Sequence, residues 1–435
     1  MSDEKPYPRR LRVPKTPPAP KARPAPTPQP AAKPRPAAKP GPARKPGQPP
    51  IEAEATVETL VEGGLPLVTC HHCEHAVPSG DYCGHCGAHL ALRQEGDRQR
   101  GFSYAAAPHE HVYQLNVITT LFPHLPHRRG HAFLWTLIAG ATVLILLAGF
   151  HLFAAATAVA AFLLPTLYLL YLYEVEIYEH EPWQVVGATF AVGTGLGLIF
   201  SLIVGPGLSR TALSGDVGAS VLLGGFALPL IAQALMLAGP LLLITREHFD
   251  DTLDGLTFGA ASALGFSLAS MLVALWPILD GPLVGVGSAL DWGLRLLRLG
   301  ILVALVNATT TGLITASLWL YRHGRRRHYH EGWHWGLPAS ILVAFGSQIA
   351  LGVLSSLISD LLVVVLLWIV GAAVLMLYLR LVIHHALLEE GAEHEIGPNA
   401  PCPECHRVVP TMLFCPACGV ARSATPKTGR QQVAG

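Results

Sequence analysis

The chain has 435 residues, of which 51% are hydrophobic and only 14% charged. A soluble protein usually carries about 25% charged residues, so the composition argues for a membrane protein. The formal net charge of +1 gives no footing for nucleic-acid binding.

Residues 1–56 are Pro, Ala, Lys and Arg in near repetition, as in PPAPKARPAPTPQPAAKPRPAAKPGPARKPGQPP. They hold almost no large apolar side chain and cannot offset the entropy of ordering. The expectation is a disordered basic tail leaning toward polyproline II. It carries no apolar run that would serve as a signal h-region. Two roles stay open: tethering to an anionic leaflet, at about 1 kcal/mol per close cation, and solvated spacing.

Eight cysteines fall in two groups of four near the two ends, none of them in the apolar middle. That distribution reads as metal sites rather than a disulfide framework. In TCHHCEHAVPSGDYCGHCGAHL, Cys70, Cys73, Cys83 and Cys86 form C-x2-C-x9-C-x2-C. Four thiolates at this spacing surround one zinc tetrahedrally. Gly84 and Gly87 supply tight turns at the second knuckle. Residues 66–92 are therefore expected to form a zinc ribbon. A structural site closes with four ligands, which leaves His71, His72, His75, His85 and His89 as bystanders and assigns no chemistry here.

Residues 93–130 are expected to be a linker. Within it VYQLNVITTLFPHL, 112–125, is apolar enough for an interfacial segment and equally suited to a plain connection.

Residues 131–386 carry the apolar runs. A crossing needs roughly 20 mostly apolar residues. About eight runs qualify: 132–150, 152–173, 185–204, 217–244, 256–276, 299–320, 337–358 and 361–383. Trp183, Trp276, Trp319, Tyr321 and Trp335 fall near their ends, as interfacial anchors do. The fold class is thus an all-α polytopic membrane protein with small zinc ribbons at both ends. Arg128, Arg129, Arg322, Arg325, Arg326 and Arg327 lie in loops that an even number of spans puts on one side. The positive-inside rule makes that side the cytosol, where the cysteines stay reduced. Both termini are expected to be cytoplasmic.

Inside the spans, Gly193 to Gly197 (GTGLG) follows no strand and is read as close helix packing, not a phosphate cradle. Gly255, Gly259 and Ala263 recur every fourth residue and give one span a small-residue face. The histidines His323, His328, His330 and His334 sit among arginines and need no reading beyond a basic loop.

After the spans, residues 399–422 repeat the first pattern. Cys402, Cys405, Cys415 and Cys418 have the same spacing, and Val409-Pro410 falls at the same offset as Val77-Pro78. A second zinc ribbon is expected, followed by a frayed tail over 423–435.

Two polar stretches remain. YEVEIYEHEPW, 173–183, holds Glu176, Glu179, Glu181 and Pro182. Paired carboxylates bind a cation or act as acid and base, or they form a solvated loop. FDDTLDGLTFGAASALGF, 249–266, joins two apolar runs through a hinge that contains Asp254 and Gly255. Together these stretches resemble the PrsW family of intramembrane proteases, over residues 173–320. The family places Glu-Glu-x-x-Lys on the helix before the hinge, Phe-x-x-x-Glu on the helix after it, and a His on a later one. The matching positions here are Ala232, Gln233 and Met236, then Phe266 with Ser270, then Asn307. The resemblance implies a protease scaffold in a bacterial cell membrane whose reactive side chains are substituted.

Peptide hydrolysis needs a polarised water and a base. No ionisable residue lies between Asp216 and Arg246, from Gly255 to Trp276, or between Arg298 and Arg322. The leading expectation is a non-catalytic homologue, with ribbons that dock a protein partner or pack on each other. No catalytic residue is assigned. A protease that uses Asp254, His248 or the Glu179/Glu181 pair is the second reading. A small-solute or lipid carrier is the third; only Pro229, Pro240, Gln233 and Asn307 hint at it.

Overall fold

The computed structural model describes residues 66–71, 73–90, 104–106, 110–121, 131–174, 183–214, 217–245, 252–281, 288–326, 336–391 and 396–422. The tail over 1–56, Glu176, Glu179, Glu181, His248, His328, His330, His334 and the tail over 423–435 lie outside them.

In chain order the elements are a hairpin of β1 (Leu67–Thr69) and β2 (Ala76–Pro78), a short helix α1 (Val117–Leu121), then α2 (His131–Gly149), α3 (Phe153–Glu174) and α4 (Trp183–Ser214). The next span runs through α5 (Val217–Ser220), a π-helical turn Val221–Ala227, and α6 (Leu228–Leu243). Then come α7 (Thr252–Ala274), the single turn α8 (Trp276–Leu279), and a second composite span: α9 (Ala289–Leu296), a π-helical turn Leu297–Leu302 and α10 (Val303–Arg326). Helices α11 (Gly336–Leu357) and α12 (Leu361–Gly391) precede a second hairpin, β3 (Gly397–Pro401) and β4 (Val408–Thr411).

Polarity decides which way the helices face. Ile145, Ile203, Leu242, Leu342 and Val370 are exposed, whereas Gln233, Ser262, Thr309, Thr310, Thr311, Thr315 and Gln348 are buried. Apolar outside and polar inside is the arrangement of a bundle whose solvent is lipid. Two of the buried threonines are satisfied within their helix: Thr309 Oγ1 donates to the Leu305 carbonyl at 2.7 Å and Thr315 Oγ1 to that of Thr311 at 2.9 Å.

Among the described residues seven helices are long and apolar enough to cross a membrane, and α2 is a shorter apolar helix beside them. The ribbons settle whether α2 also crosses. Tyr82 N–H donates to the Pro416 carbonyl and Phe414 N–H to that of Gly84, both at 2.9 Å. Two ribbons in contact lie on one side of a bilayer, so an even number of crossings separates them. With 19 residues, α2 is about 28 Å long, enough for a hydrocarbon core of about 30 Å. An even count takes one crossing more than the seven, and α2 is the helix whose length and composition fit it. It turns into α3 through His151, held in the left-handed region at φ 56°, with Leu152 N–H donating to the Leu147 carbonyl at 2.9 Å.

Helix α7 and the α9–α10 span are the centre of the bundle: 83% of each apolar window is buried, against 17–56% in the other spans. Their close approach depends on small residues. A Cβ on Gly255 would lie 2.8 Å from the Thr315 carbonyl oxygen, and one on Gly259 would strike Thr315 Oγ1 and sit 3.0 Å from Gly312 Cα. On the other side of α7, Gly193 and Gly197 of the GTGLG run meet the backbone of Ser262 and Phe266. The run therefore packs helices. Replacing Gly259 with Leu should lower thermal stability by at least the roughly 1–3 kcal/mol of ordinary overpacking, since the Gly312 and Thr311 backbone stands at 3.0 Å behind the Thr315 hydroxyl. Thermal unfolding of the purified protein in detergent measures it, and Gly195→Leu is the control, because that position opens onto free space.

Candidate functional site

Each ribbon is built from two knuckles whose turns need specific backbone. In the first ribbon, Glu74 (φ 61°) and Gly87 (φ 73°) are left-handed; in the second, His406 (φ 58°) and Gly419 (φ 76°) take the same roles. Cys70 N–H donates to the His75 carbonyl at 3.0 Å and Cys83 N–H to that of Ala88 at 2.7 Å, as Cys402 does to Arg407 at 2.8 Å and Cys415 to Val420 at 2.9 Å. Four sulfurs converge in each. Their spacings are 3.7 Å for Cys70–Cys86 and for Cys73–Cys83, 3.9 Å for Cys402–Cys418 and 3.8 Å for Cys405–Cys415. A tetrahedral ion with Zn–S of about 2.3 Å separates its sulfurs by about 3.8 Å. All eight cysteines are free thiols, and each quartet can hold one metal ion. Within each cluster one thiol is held down, while neighbours such as Cys86 and Cys418 are pushed up by their hydrogen bonds to it and by burial. A hydrogen bond from Cys86 holds Cys83 down to about 5, and one from Cys415 holds Cys402 down to about 2. Burial pushes Cys73 up to about 11.

His75 and His85 lie close to Cys73. Their rings stack at 4.0 Å with planes 10° apart. A ring nitrogen binds a metal in the plane of its ring, so near-parallel rings do not aim at a common ion. The four cysteines of the first ribbon are the group whose atoms converge on one point.

The ribbons meet about a pseudo-twofold. The two hydrogen bonds that join them exchange when 82 is swapped for 414 and 84 for 416. Phe414 packs over Gly87 as Tyr82 packs over Gly419. The second ribbon is also tied to the membrane helices. Ala421 N–H donates to the Ala105 carbonyl at 2.8 Å, and Ala105 N–H donates to His384 Nδ1 of α12 at 3.2 Å.

The stretch expected to be a linker thus carries packed structure. Tyr104, Ala105 and Val112 are buried. Glu110 Oε2 accepts from Arg380 Nη2 at 2.6 Å. Arg380, on the last span, is fully buried. Sequence reading passed over it, although any charge inside an apolar run is a signal.

Inside the bundle the polar groups converge on one junction of α6, α7, α10 and α11. Thr310 Oγ1 donates to Gln233 Oε1 at 2.9 Å, and Gln233 Nε2 donates to Thr311 Oγ1 at 3.1 Å. Gln348 Nε2 donates to Asn307 Oδ1 at 2.9 Å and lies 3.4 Å from Gln233 Oε1. Asn307 Nδ2 donates to Ser267 Oγ at 2.9 Å. Ser262 Oγ donates to the Met236 carbonyl at 2.7 Å. Gln233 is 0%, Gln348 6% and Asn307 8% exposed, so among the described residues these groups find their partners in one another. The structure brings Gln233, Met236 and Asn307 together. Ala232 is half-buried beside them, and Ser270 keeps its hydroxyl buried without a hydrogen-bond partner. Gln348, Thr310, Thr311 and Ser267 escaped sequence reading. Gln348 was findable as a lone amide in an apolar run.

Asp254 is buried in the first turn of α7, where a helix N-terminus favours a carboxylate. It precedes Ser262 by eight residues, about 12 Å of helix, so it does not reach the amide junction.

Residues 181–383 match the PrsW family intramembrane metalloprotease. No curated protein and no solved structure matches the chain. The match covers the membrane part from α4 to α12, and a cysteine cluster that can hold a metal ion lies on each side of it in the sequence. A metalloprotease holds its ion with imidazole, carboxylate or thiolate. The groups converging at this junction are amides, hydroxyls and a thioether already bonded to one another, and they do not fit such an ion.

Proposed function

We propose that this PrsW-family domain no longer hydrolyses peptide bonds and that the chain acts as a membrane scaffold with a zinc-bound ribbon pair on its cytosolic side. The observation that supports this is the closed, uncharged network of Gln233, Asn307 and Gln348. Gln233 and Asn307 are two of the positions that the sequence resemblance matches to the family's glutamates and histidine, and Gln348 bonds to both. Hydrolysis needs a base to take a proton from water, and an amide is not one. In a low dielectric the same network is favourable only because its groups are partnered. Its role is to specify how four helices meet. A carrier would need a polar-lined path, and here the polar groups close on each other.

The positive-inside rule puts the arginine-bearing loops, both termini and both ribbons in the cytosol. The ribbons use their inner faces on each other and on residue Ala105. Their outer faces remain for a protein partner.

A second reading keeps an active endopeptidase. Asp254, a buried carboxylate in the hinge, favours it, with His248 or Glu179 and Glu181 as helpers. Purified protein in lipid vesicles, offered single-span substrates, separates the two. The scaffold reading expects no cleavage. Cleavage that Asp254→Asn, His248→Ala or Glu179→Gln with Glu181→Gln abolishes would establish the second reading.

A further inference from the structure

We propose that residues 104–106 and 110–121 form a strap through which metal loading of the ribbon pair is transmitted to the last membrane helix. The path is continuous. Ala421 stands three residues after Cys418, and its neighbours are set by the knuckle: Gly419 takes φ 76°, and Cys415 N–H donates to the Val420 carbonyl at 2.9 Å. From there Ala421 N–H reaches the Ala105 carbonyl, and Ala105 N–H reaches His384 Nδ1 on α12. The adjacent Tyr104 ring lies 3.7 Å from the Arg380 guanidinium carbon. Arg380 Nη2 donates to Glu110 Oε2 and, at 3.2 Å, to the His111 carbonyl, while Nη1 donates to Thr119 Oγ1 at 2.9 Å. Asn116 Nδ2 and Thr119 Oγ1 hold the Glu110 carboxylate from behind, at 2.8 and 2.7 Å. Leu121, at the far end, lines an apolar crevice with Leu164, Tyr168, Ala260, Leu264 and Leu305.

Arg380 makes this arrangement responsive. Every charged partner it has among the described residues comes from the strap, and it is fully buried on a membrane helix. An uncovered guanidinium there is strongly unfavourable, so α12 must readjust when the strap leaves. The strap in turn depends on the 419–421 turn. Without an ion the four thiols of the second ribbon have nothing to gather around, and that turn loses its anchor. The strap connects the second ribbon to the membrane helix, and it does so whether or not the membrane domain retains any protease activity.

The test is hydrogen–deuterium exchange on the full chain in lipid nanodiscs, before and after a zinc chelator and again after zinc is restored, with metal content measured each time. The expected result is at least tenfold faster exchange over residues 104–106, 110–121 and the end of α12 when the ion is gone, reversed by zinc, with α7 and α10 still protected. Glu110→Gln should speed strap exchange about as much while both ions stay bound. Ala421→Pro, which removes the N–H that reaches Ala105, should make strap exchange insensitive to chelation. Unchanged strap exchange on verified metal loss would overturn the proposal. So would equal loss of protection in α7 and α10, since the ion would then support the whole fold.

Discussion

Replacing Cys83 with Ser should leave one cysteine quartet able to hold a metal ion where there were two, and loosen both ribbons, not one. The bound ion supplies most of the stability of so small a unit. Apparent binding energies of structural zinc in zinc-finger peptides are about 10–16 kcal/mol, and the first ribbon's buried cluster consists of little beyond Cys70, Val77, Cys83, Ala88 and Met412. Met412 belongs to the second ribbon. A Cβ on Gly84 would strike the Met412 thioether, and Phe414 lies across Gly87. Loss of the first ion therefore takes packing from the second ribbon as well. Metal analysis with proteolysis of the purified protein measures this: one ion per chain, and faster cleavage at both ends. Replacing Cys83 and Cys415 together should leave the membrane helices inserted, because α7 and α10 bury their own interior. If the double variant fails to insert, the ribbons are props for the bundle, not docking modules.

The second large effect is at the amide junction. Gln348→Leu removes the donor to Asn307 Oδ1 at 2.9 Å and contacts with Gln233 Oε1 and Thr310 Oγ1 at 3.4 and 3.2 Å. Each buried group left without a partner costs about 1–3 kcal/mol, so a loss of about 2–4 kcal/mol is expected for the bundle. Asn307→Leu should cost a similar amount by stranding the same bond from the other side. The double variant removes donor and acceptor together and should cost less than the sum, by about 0.5–3 kcal/mol. Thermal or denaturant unfolding of the four proteins of this cycle in one detergent supplies the numbers. Additive costs would mean that the two amides act independently.

The same two regions divide what the sequence reveals from what it hides. Apolar run length located the crossings, and cysteine spacing located both ribbons. Small residues at every fourth position of α7 were legible because close helix approach leaves no other choice. Boundaries were less so: α10's span begins at Ala289 and α12 continues to Gly391, because helices carry on past the apolar window into water. The strap was hidden because its partners are remote. Glu110 meets Arg380 across 270 residues, and nothing local marks either as half of a pair. The ribbons' contact was one of two readings the sequence left open, and their equal offsets, once placed side by side, let each residue of the pseudo-twofold be matched. Gln348 was a missed opportunity. A single amide in SILVAFGSQIALG has to find a hydrogen bond inside the bilayer, and the only sources are polar groups on neighbouring helices such as those that carry Gln233 and Asn307.

The central claim is that a protease-type bundle has exchanged its reactive groups for a neutral network. Its most direct test is cleavage of single-span substrates in lipid vesicles by two proteins: the natural chain and a variant with Ala232→Glu, Gln233→Glu, Met236→Lys, Ser270→Glu and Asn307→His. The natural chain is expected to be silent, and the five substitutions are expected to produce cleavage. Cleavage by the natural chain that persists when Asn307 or Gln233 is replaced by Ala would contradict the account and place the chemistry elsewhere in the molecule.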